Sequence, residues 1–281
     1  MNEKMLHTLV VNALQEDIGS GDHSTLCCIG AEVKGKAVLK IKQDGILAGV
    51  DVARYIFNLL DNEVVFNEFM KDGNDMKYGD IAFEVHTHVQ TILKAERLVL
   101  NIMQRMSGIA TLTRKYVDAI KNYKTKLLDT RKTTPNFRLL EKEAVKIGGG
   151  FNHRFGLYDM IMLKDNHIDF CGGIEKALKK AFDYAKQFPG LKIEIETRNL
   201  DDVKKVVETK MADRIMFDNF TPAEIVMAMK IVNGSLETEA SGGINLENIT
   251  EYAATGVDYI SSGALIHQAK SLDLSLKAVI I

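Results

Sequence analysis

Residues Lys192–Asn219 read KIEIETRNLDDVKKVVETKMADRIMFDN. Alternating residues at 192–197 predict a strand, with Glu194 and Glu196 on one side and Ile193 and Ile195 on the other. A helical repeat over about 200–210 follows, and a second apolar strand covers 214–218. Strand, helix and strand joined by short turns predict two parallel strands with a right-handed crossover.

The same unit repeats on both sides. Strands are expected at 126–129, 160–163, 238–241 and 259–262, and helices at about 137–146, 173–187, 222–232 and 246–254. Strict alternation allows an open doubly wound sheet or a barrel. The strands end in polar residues, Asp129, Lys164, Glu196, Asp218 and Ser241. In a barrel those ends share one mouth, where active sites are built, so the pattern favours the barrel.

Residues 1–108 read differently: a helix over 3–16, β-like runs at 36–42 and 46–48, a helix over 51–60, and strands at 63–69 and 81–86. A helical pattern runs from about 90 to 121, with Ser107-Gly108 as its expected break and the domain boundary.

The chain has 281 residues, 46% of them hydrophobic, enough for a large core. Its net charge is −2, and no long basic run interleaves with aromatics, which argues against nucleic acid as the main partner. No stretch approaches the roughly 20 apolar residues of a membrane span, and the N-terminal run lacks the apolar core of a signal peptide. The expected location is the cytoplasm. Three cysteines, Cys27, Cys28 and Cys171, show no CxxC spacing, so structural zinc and a disulfide framework are not expected.

Against this near-neutral background, Asp129–His167 gathers Arg131, Lys132, Arg138, His153, Arg154 and Lys164. Unbalanced cations repel one another, so their convergence implies an anionic ligand. Lys142 and Lys146 are read instead as the outer face of a helix. Glu196, with Asp218 on the next strand, supplies the hard oxygen ligands that suit Mg²⁺ bound together with substrate phosphates. Glu194, deeper in the barrel, is expected to pair with a buried Lys or Arg. Two glycine-rich turns, Ser241-Gly242-Gly243 and Ser262-Gly263-Ala264, are read as entering helices and binding phosphate.

The motifs AERLVLNIMQRMSGIAT, DTRKTTP, FNHRFGLYDMIMLKDNHI, IEIET, IMFDNF, EASGGI and YISSGALIH, in this order, closely resemble the quinolinate phosphoribosyltransferase family. The resemblance implies an α/β fold: an N-terminal α/β sandwich domain, residues 1–108 completed by the tail 269–281, and an incomplete seven-stranded TIM-like barrel, residues 109–268. It implies transfer of phosphoribosyl from phosphoribosyl pyrophosphate to quinolinate, with Mg²⁺ and loss of CO₂, to give nicotinate mononucleotide. It also implies a homodimer or larger assembly in which Arg97 reaches the partner's site. Thr130, Arg131, His153, Arg154 and Lys164 would then surround quinolinate, while Lys132 would face pyrophosphate or its metal. Glu196 and Asp218 would hold Mg²⁺ or the ribose hydroxyls, and the two glycine turns the 5′-phosphate.

Asn136 stands where the family usually has glycine, a mild departure because Asn tolerates left-handed backbone angles. The EDIGSGDHST segment at 16–25 is expected to be a structural turn. Three rivals share part of the pattern: a relative associated with molybdenum transport, a Schiff-base lyase using Lys164, and a non-catalytic binder of the phosphoribosyl donor.

Overall fold

The computed structural model describes residues 1–280, with side chains through residue 278. The elements in chain order are α1 (Glu3–Ile18), α2 (His23–Cys28), β1 (Lys34–Ile41), β2 (Gly45–Ile46), α3 (Val50–Leu60), β3 (Val65–Glu68), β4 (Asp75–Met76), β5 (Ile81–His88) and α4 (Val89–Ala119). Then come β6 (Lys126–Leu128), α5 (Arg138–Ile147), β7 (Ile161–Leu163), α6 (Asp165–Cys171), α7 (Ile174–Ala185), β8 (Ile193–Thr197), α8 (Leu200–Thr209) and β9 (Arg214–Asp218). The chain continues through α9 (Pro222–Val232), β10 (Glu237–Ser241), α10 (Ile249–Ala253), β11 (Tyr259–Ser261), α11 (Ala264–His267) and β12 (Leu274–Ile280). They form two compact units, one of Met1–Arg114, Thr133–Gly149 and the segment from Leu265, the other of Lys115–Lys132 and Gly150–Ala264.

The first unit is built on a four-stranded sheet in the order β12-β1-β5-β3, with antiparallel pairings. Strand β1 alternates, so Ala37, Leu39 and Ile41 are buried while Lys36 and Lys40 are half-exposed. Helix α3 covers the sheet by way of Phe57, whose ring meets Phe83 of β5 edge-on at 6.4 Å. The last residue of the tail lies outside the described residues.

Helix α4 runs unbroken from Val89 to Ala119, so the expected break at Ser107-Gly108 is absent. These residues serve packing instead. Ser107 Oγ accepts from the Ala48 N–H at 3.0 Å, and a Cβ on Gly108 would lie 2.1 Å from the Lys270 carbonyl oxygen. A small residue can therefore mark close approach inside a helix as readily as a helix end.

Helix α5 corrects a second expectation: Lys142 is buried and partnered, and only Lys146 is a surface residue, paired with Glu143. The neighbouring Glu141, also buried, accepts from Arg105 Nε and Nη2 at 3.1 and 2.9 Å and from the Thr134 N–H at 2.8 Å. Arg105 donates further to the Ile266 and Ala269 carbonyls. A buried carboxylate is tolerated here because each oxygen meets a donor.

The second unit is a parallel sheet ordered β6-β11-β10-β9-β8-β7. A parallel bridge between Leu128 and Phe151 adds a seventh, one-residue strand position beside β6. No ladder joins Phe151 to β7 among the described residues, and the six parallel strands agree with the α/β fold expected for this unit. Strand β8 is buried throughout, with Ile193 and Ile195 on one face and Glu194 and Glu196 on the other. Parallel register brings the C-terminal ends of β7, β8, β9 and β10 to one side.

Candidate active site

At those strand ends lies a cavity of about 520 Å³ within the second unit. Its wall includes Thr130, Arg131, Lys132, His153, Arg154, Lys164, Glu196, Asp218, Ser241, Gly242 and Gly243, eleven of the residues singled out from the sequence. Ser262, Gly263 and Ala264 are not on that wall. Ser262 Oγ donates to the Ile244 carbonyl and its N–H to the Leu128 carbonyl, and Ser261 lines the cavity in its place. Arg97 lies in the first unit, exposed on α4, with no hydrogen bond or ion pair among the described residues.

The cations are held by local structure. Asp129, fully buried after β6, accepts from the His153 N–H at 2.8 Å and from Asn152 Nδ2 at 3.0 Å. Those bonds fix the segment that presents His153 and Arg154. Arg154 is anchored through Nη1 to the Met160 carbonyl, and burial together with the nearby Arg131 cation weakens its hold on its proton. Arg131 Nε is buried and has no hydrogen-bond partner. Two guanidinium groups that repel, one with an orphaned donor, are the signature of a site completed by an anion. Lys164 leans 2.5 Å from Glu196 Oε1, an acceptor that a bound carboxylate would compete with.

Asp218 sits half-buried on the strand next to Glu196 and accepts from Asn219 Nδ2 at 2.9 Å. These two carboxylates are hard oxygen donors on one cavity wall. Lys164 engages only one oxygen of Glu196, so the donor set fits Mg²⁺ shared with substrate phosphates.

The Ser241-Gly242-Gly243 turn requires glycine: Gly242 has φ 96° and a Cβ there would lie 2.2 Å from Asn219 Oδ1. Contrary to the sequence reading, this turn does not open a helix, since α10 starts only at Ile249. Any phosphate contact would come from the turn itself. The second glycine turn leads into α11, a helix of only four residues.

Beneath the cavity lies a buried cluster that the sequence reading resolved only in part. His153 Nε2 lies 3.0 Å from Glu194 Oε2 and 3.4 Å from Glu239 Oε2, and Arg214 Nη1 lies 3.1 Å from Glu239 Oε2. Glu194, expected to meet a Lys or Arg, thus meets a histidine, with Arg214 acting on it by charge. Neither Glu194 oxygen accepts an aligned hydrogen bond, so this pairing is ionic.

Burial and the charge of Glu239 push Glu194 up to about 7. Burial pushes Glu239 up too, but His153, Ser261 and Arg214 together outweigh it and hold Glu239 below the usual carboxylate range. For His153, burial opposes the charge, yet the two carboxylates raise it to about 9. The Arg154 N–H donates to Nδ1 at 2.6 Å, so Nε2 is the ring nitrogen whose proton faces Glu194 and Glu239, and charging the ring requires the Nδ1 bond to break. His153, Glu194 and Glu239 could also cradle a metal, their ligand atoms lying within 4.8 Å of one another. Arg214 also binds Glu237 through Nε and Nη2, at 3.3 and 3.1 Å, so one guanidinium serves two carboxylates beside the His153 pair.

Sequence reading missed Asn219, which adopts φ 58° and locks Asp218, and missed Arg214 and Glu239. Residues 237, 239 and 241 alternate as 194 and 196 do, and that period marked Glu239 as facing inward. Within the EDIGSGDHST segment α1 ends at Ile18, a short turn follows, and Asp22 caps α2 through the Thr25 N–H and hydroxyl. Asn136 has φ 62°, the left-handed backbone expected of it.

Models of the quinolinate phosphoribosyl transferase N-terminal and C-terminal domains match residues 22–107 and 109–277. The chain is 44% identical over 276 residues to the probable nicotinate-nucleotide pyrophosphorylase [carboxylating] of Bacillus subtilis, covering 98% of this chain and 94% of that protein. It is 43% identical to a mitochondrial quinolinate phosphoribosyltransferase [decarboxylating] of Nicotiana glauca, over 94% of this chain and 80% of that one. The crystal structure of NadC from Streptococcus pyogenes superposes with a TM-score of 0.94 at 39% identity, covering 100% of this chain and 99% of that chain. The chain belongs to the quinolinate phosphoribosyltransferase family.

Proposed function

We propose that the cavity at the strand ends is where this quinolinate phosphoribosyltransferase, an enzyme of NAD biosynthesis, carries out its reaction. The observation that carries this reading is the meeting of Arg131, Arg154 and Lys164 on one wall, with Arg131 Nε orphaned and Arg154 destabilised as a cation by its neighbour. Quinolinate brings two adjacent carboxylates, which would satisfy the orphaned donor and relieve the repulsion between the guanidiniums.

In the reaction the ring nitrogen of quinolinate gives its lone pair to C1 of the ribose as the C1–oxygen bond to pyrophosphate breaks. Charge builds on the departing pyrophosphate and on the ribosyl carbon, so fixed charges and alignment, with no protein nucleophile, lower the barrier. Lys132 faces the departing pyrophosphate. The Ser241-Gly242-Gly243 turn holds the 5′-phosphate and fixes the donor's far end. The positive charge of the alkylated ring nitrogen then stabilises the electron pair left on the adjacent carbon when its bond to the carboxylate breaks; CO₂ departs, and that carbon takes a proton. Glu196 and Asp218 would hold Mg²⁺, which would supply positive charge to offset that of the pyrophosphate.

We further propose that two copies share each site, with Arg97 of one copy completing the carboxylate pocket of the other. Arg97 is exposed and has no ion pair among the described residues, which leaves it available for such a role. Three unpaired cysteines suit a reducing compartment, which favours the cytoplasm. The test is calorimetric binding of quinolinate to Arg131→Ala: affinity falls at least about tenfold with the fold intact by circular dichroism. Unchanged affinity would remove Arg131 from the pocket.

A further inference from the structure

We infer that Cys27 and Cys28 form a chelating dithiol for one trivalent, thiophilic centre of the organoarsenical class. The two residues end α2 in the first unit, and both are exposed. Their sulfurs lie 3.4 Å apart, turned toward each other. Cys27 Sγ also donates to the Ser24 carbonyl at 3.3 Å, which orients it at the helix end.

A disulfide is the wrong product for this pair. Adjacent Cα atoms across a trans peptide stand about 3.8 Å apart, short of the roughly 4.4–6.8 Å that disulfides span. The thiols therefore remain paired and reduced, available to be bridged by a single atom. Structural zinc needs four ligands, and no group of three His, Cys, Asp or Glu ligands occurs here among the described residues. Two sulfurs are sufficient for a centre whose third valence is already filled by carbon. That requirement selects a monosubstituted arsenical, and exposed Leu26 between Thr25 and Cys27 offers apolar surface for an aryl group.

The reaction balances without an oxidant. In R–As=O the arsenic–oxygen bond breaks, two As–S bonds form, and the two thiol protons leave with the oxygen as water, while arsenic stays trivalent. Cys171, alone on α6, has no second thiol and cannot chelate.

The experiment is intact-protein mass spectrometry of the full chain with phenylarsine oxide, followed by washing with excess 2-mercaptoethanol or with 2,3-dimercaptopropanol. One adduct per chain is expected, surviving the monothiol and removed by the dithiol. Chelation raises apparent affinity on the order of a hundredfold, so Cys27→Ser and Cys28→Ser each lose the adduct at concentrations that saturate wild type, while Cys171→Ser keeps it. Retention of the adduct in either single serine variant, its loss on monothiol washing, or no adduct on wild type whose thiols all react with Ellman's reagent would overturn the assignment.

Discussion

Replacing Arg214 with Met tests the buried charge cluster directly. Glu194 and Glu239 are fully buried and Glu237 lies beside them; against these three carboxylates stand Arg214, shared by Glu237 and Glu239, Lys192 at 3.7 Å from Glu237, and His153, whose charge the two buried carboxylates favour. Met keeps much of the volume but leaves one uncompensated negative charge. At 3.1 Å the Arg214–Glu239 attraction is gross about 5 kcal/mol for an effective dielectric near 20. Breaking one partner of a buried pair costs a net of about 3–5 kcal/mol. The lost stacking of the guanidinium over the Tyr259 ring, at 4.1 Å, falls within that range.

The pH dependence of this loss carries a sign. Glu194 is raised in the folded protein to about 7, so the native state holds its proton near pH 5.5 and the cluster then carries one negative charge fewer. The Arg214→Met loss should therefore be about half as large at pH 5.5 as at pH 8, read as shifts of the urea midpoint with unchanged slope. In wild type, the two carboxylates raise His153 above its unfolded value to about 9, so its contribution is present below pH 6.5 and is lost as pH rises through 9, reduced by the cost of freeing Nδ1 from the Arg154 N–H. Glu194 works in the same direction between pH 4.5 and 7 and reports the same network, so the two are not added. A loss below about 1 kcal/mol at pH 8, or a larger loss at pH 5.5, would refute the charge assignment.

Other parts of the site make separate demands. Gly242→Ala places a methyl against Asn219 at a left-handed φ, so stability falls by about 1–3 kcal/mol and KM for phosphoribosyl pyrophosphate rises; steady-state kinetics with an unchanged KM would separate the turn from the donor. Mixing Arg97→Ala subunits with Lys132→Ala subunits restores part of the activity, because a hybrid dimer assembles one intact site; no recovery despite subunit exchange proven by mass spectrometry counts against sharing. Excess chelator abolishes turnover and Mg²⁺ restores it, and full activity in chelator would contradict the roles given to Glu196 and Asp218.

Much of the barrel was legible because period and spacing carry it. The polar strand ends pointed to Asp129, Lys164, Glu196, Asp218 and Ser241 at one mouth; the cavity is lined by the last four, while Asp129 is buried and holds the His153 backbone. What pattern does not carry is pairing across the sheet. The meeting of His153 with Glu194 and Glu239 depends on which strands neighbour in space and in which register. Lys142 failed for a related reason: α5 is buried on more than one side, so a lysine at a surface-like position is enclosed. At Ser107-Gly108 a turn-like dipeptide marked close packing inside a long helix. Asn136 shows the opposite case, where the residue's own backbone preference was enough to foresee φ 62°.

The most direct measurement incubates the purified protein with phosphoribosyl pyrophosphate and Mg²⁺, offers quinolinate or nicotinate in separate reactions, and identifies products by mass. Nicotinate mononucleotide and CO₂ from quinolinate alone is the predicted result. Product from nicotinate, or none from quinolinate in a folded sample that binds the phosphoribosyl donor, would contradict it.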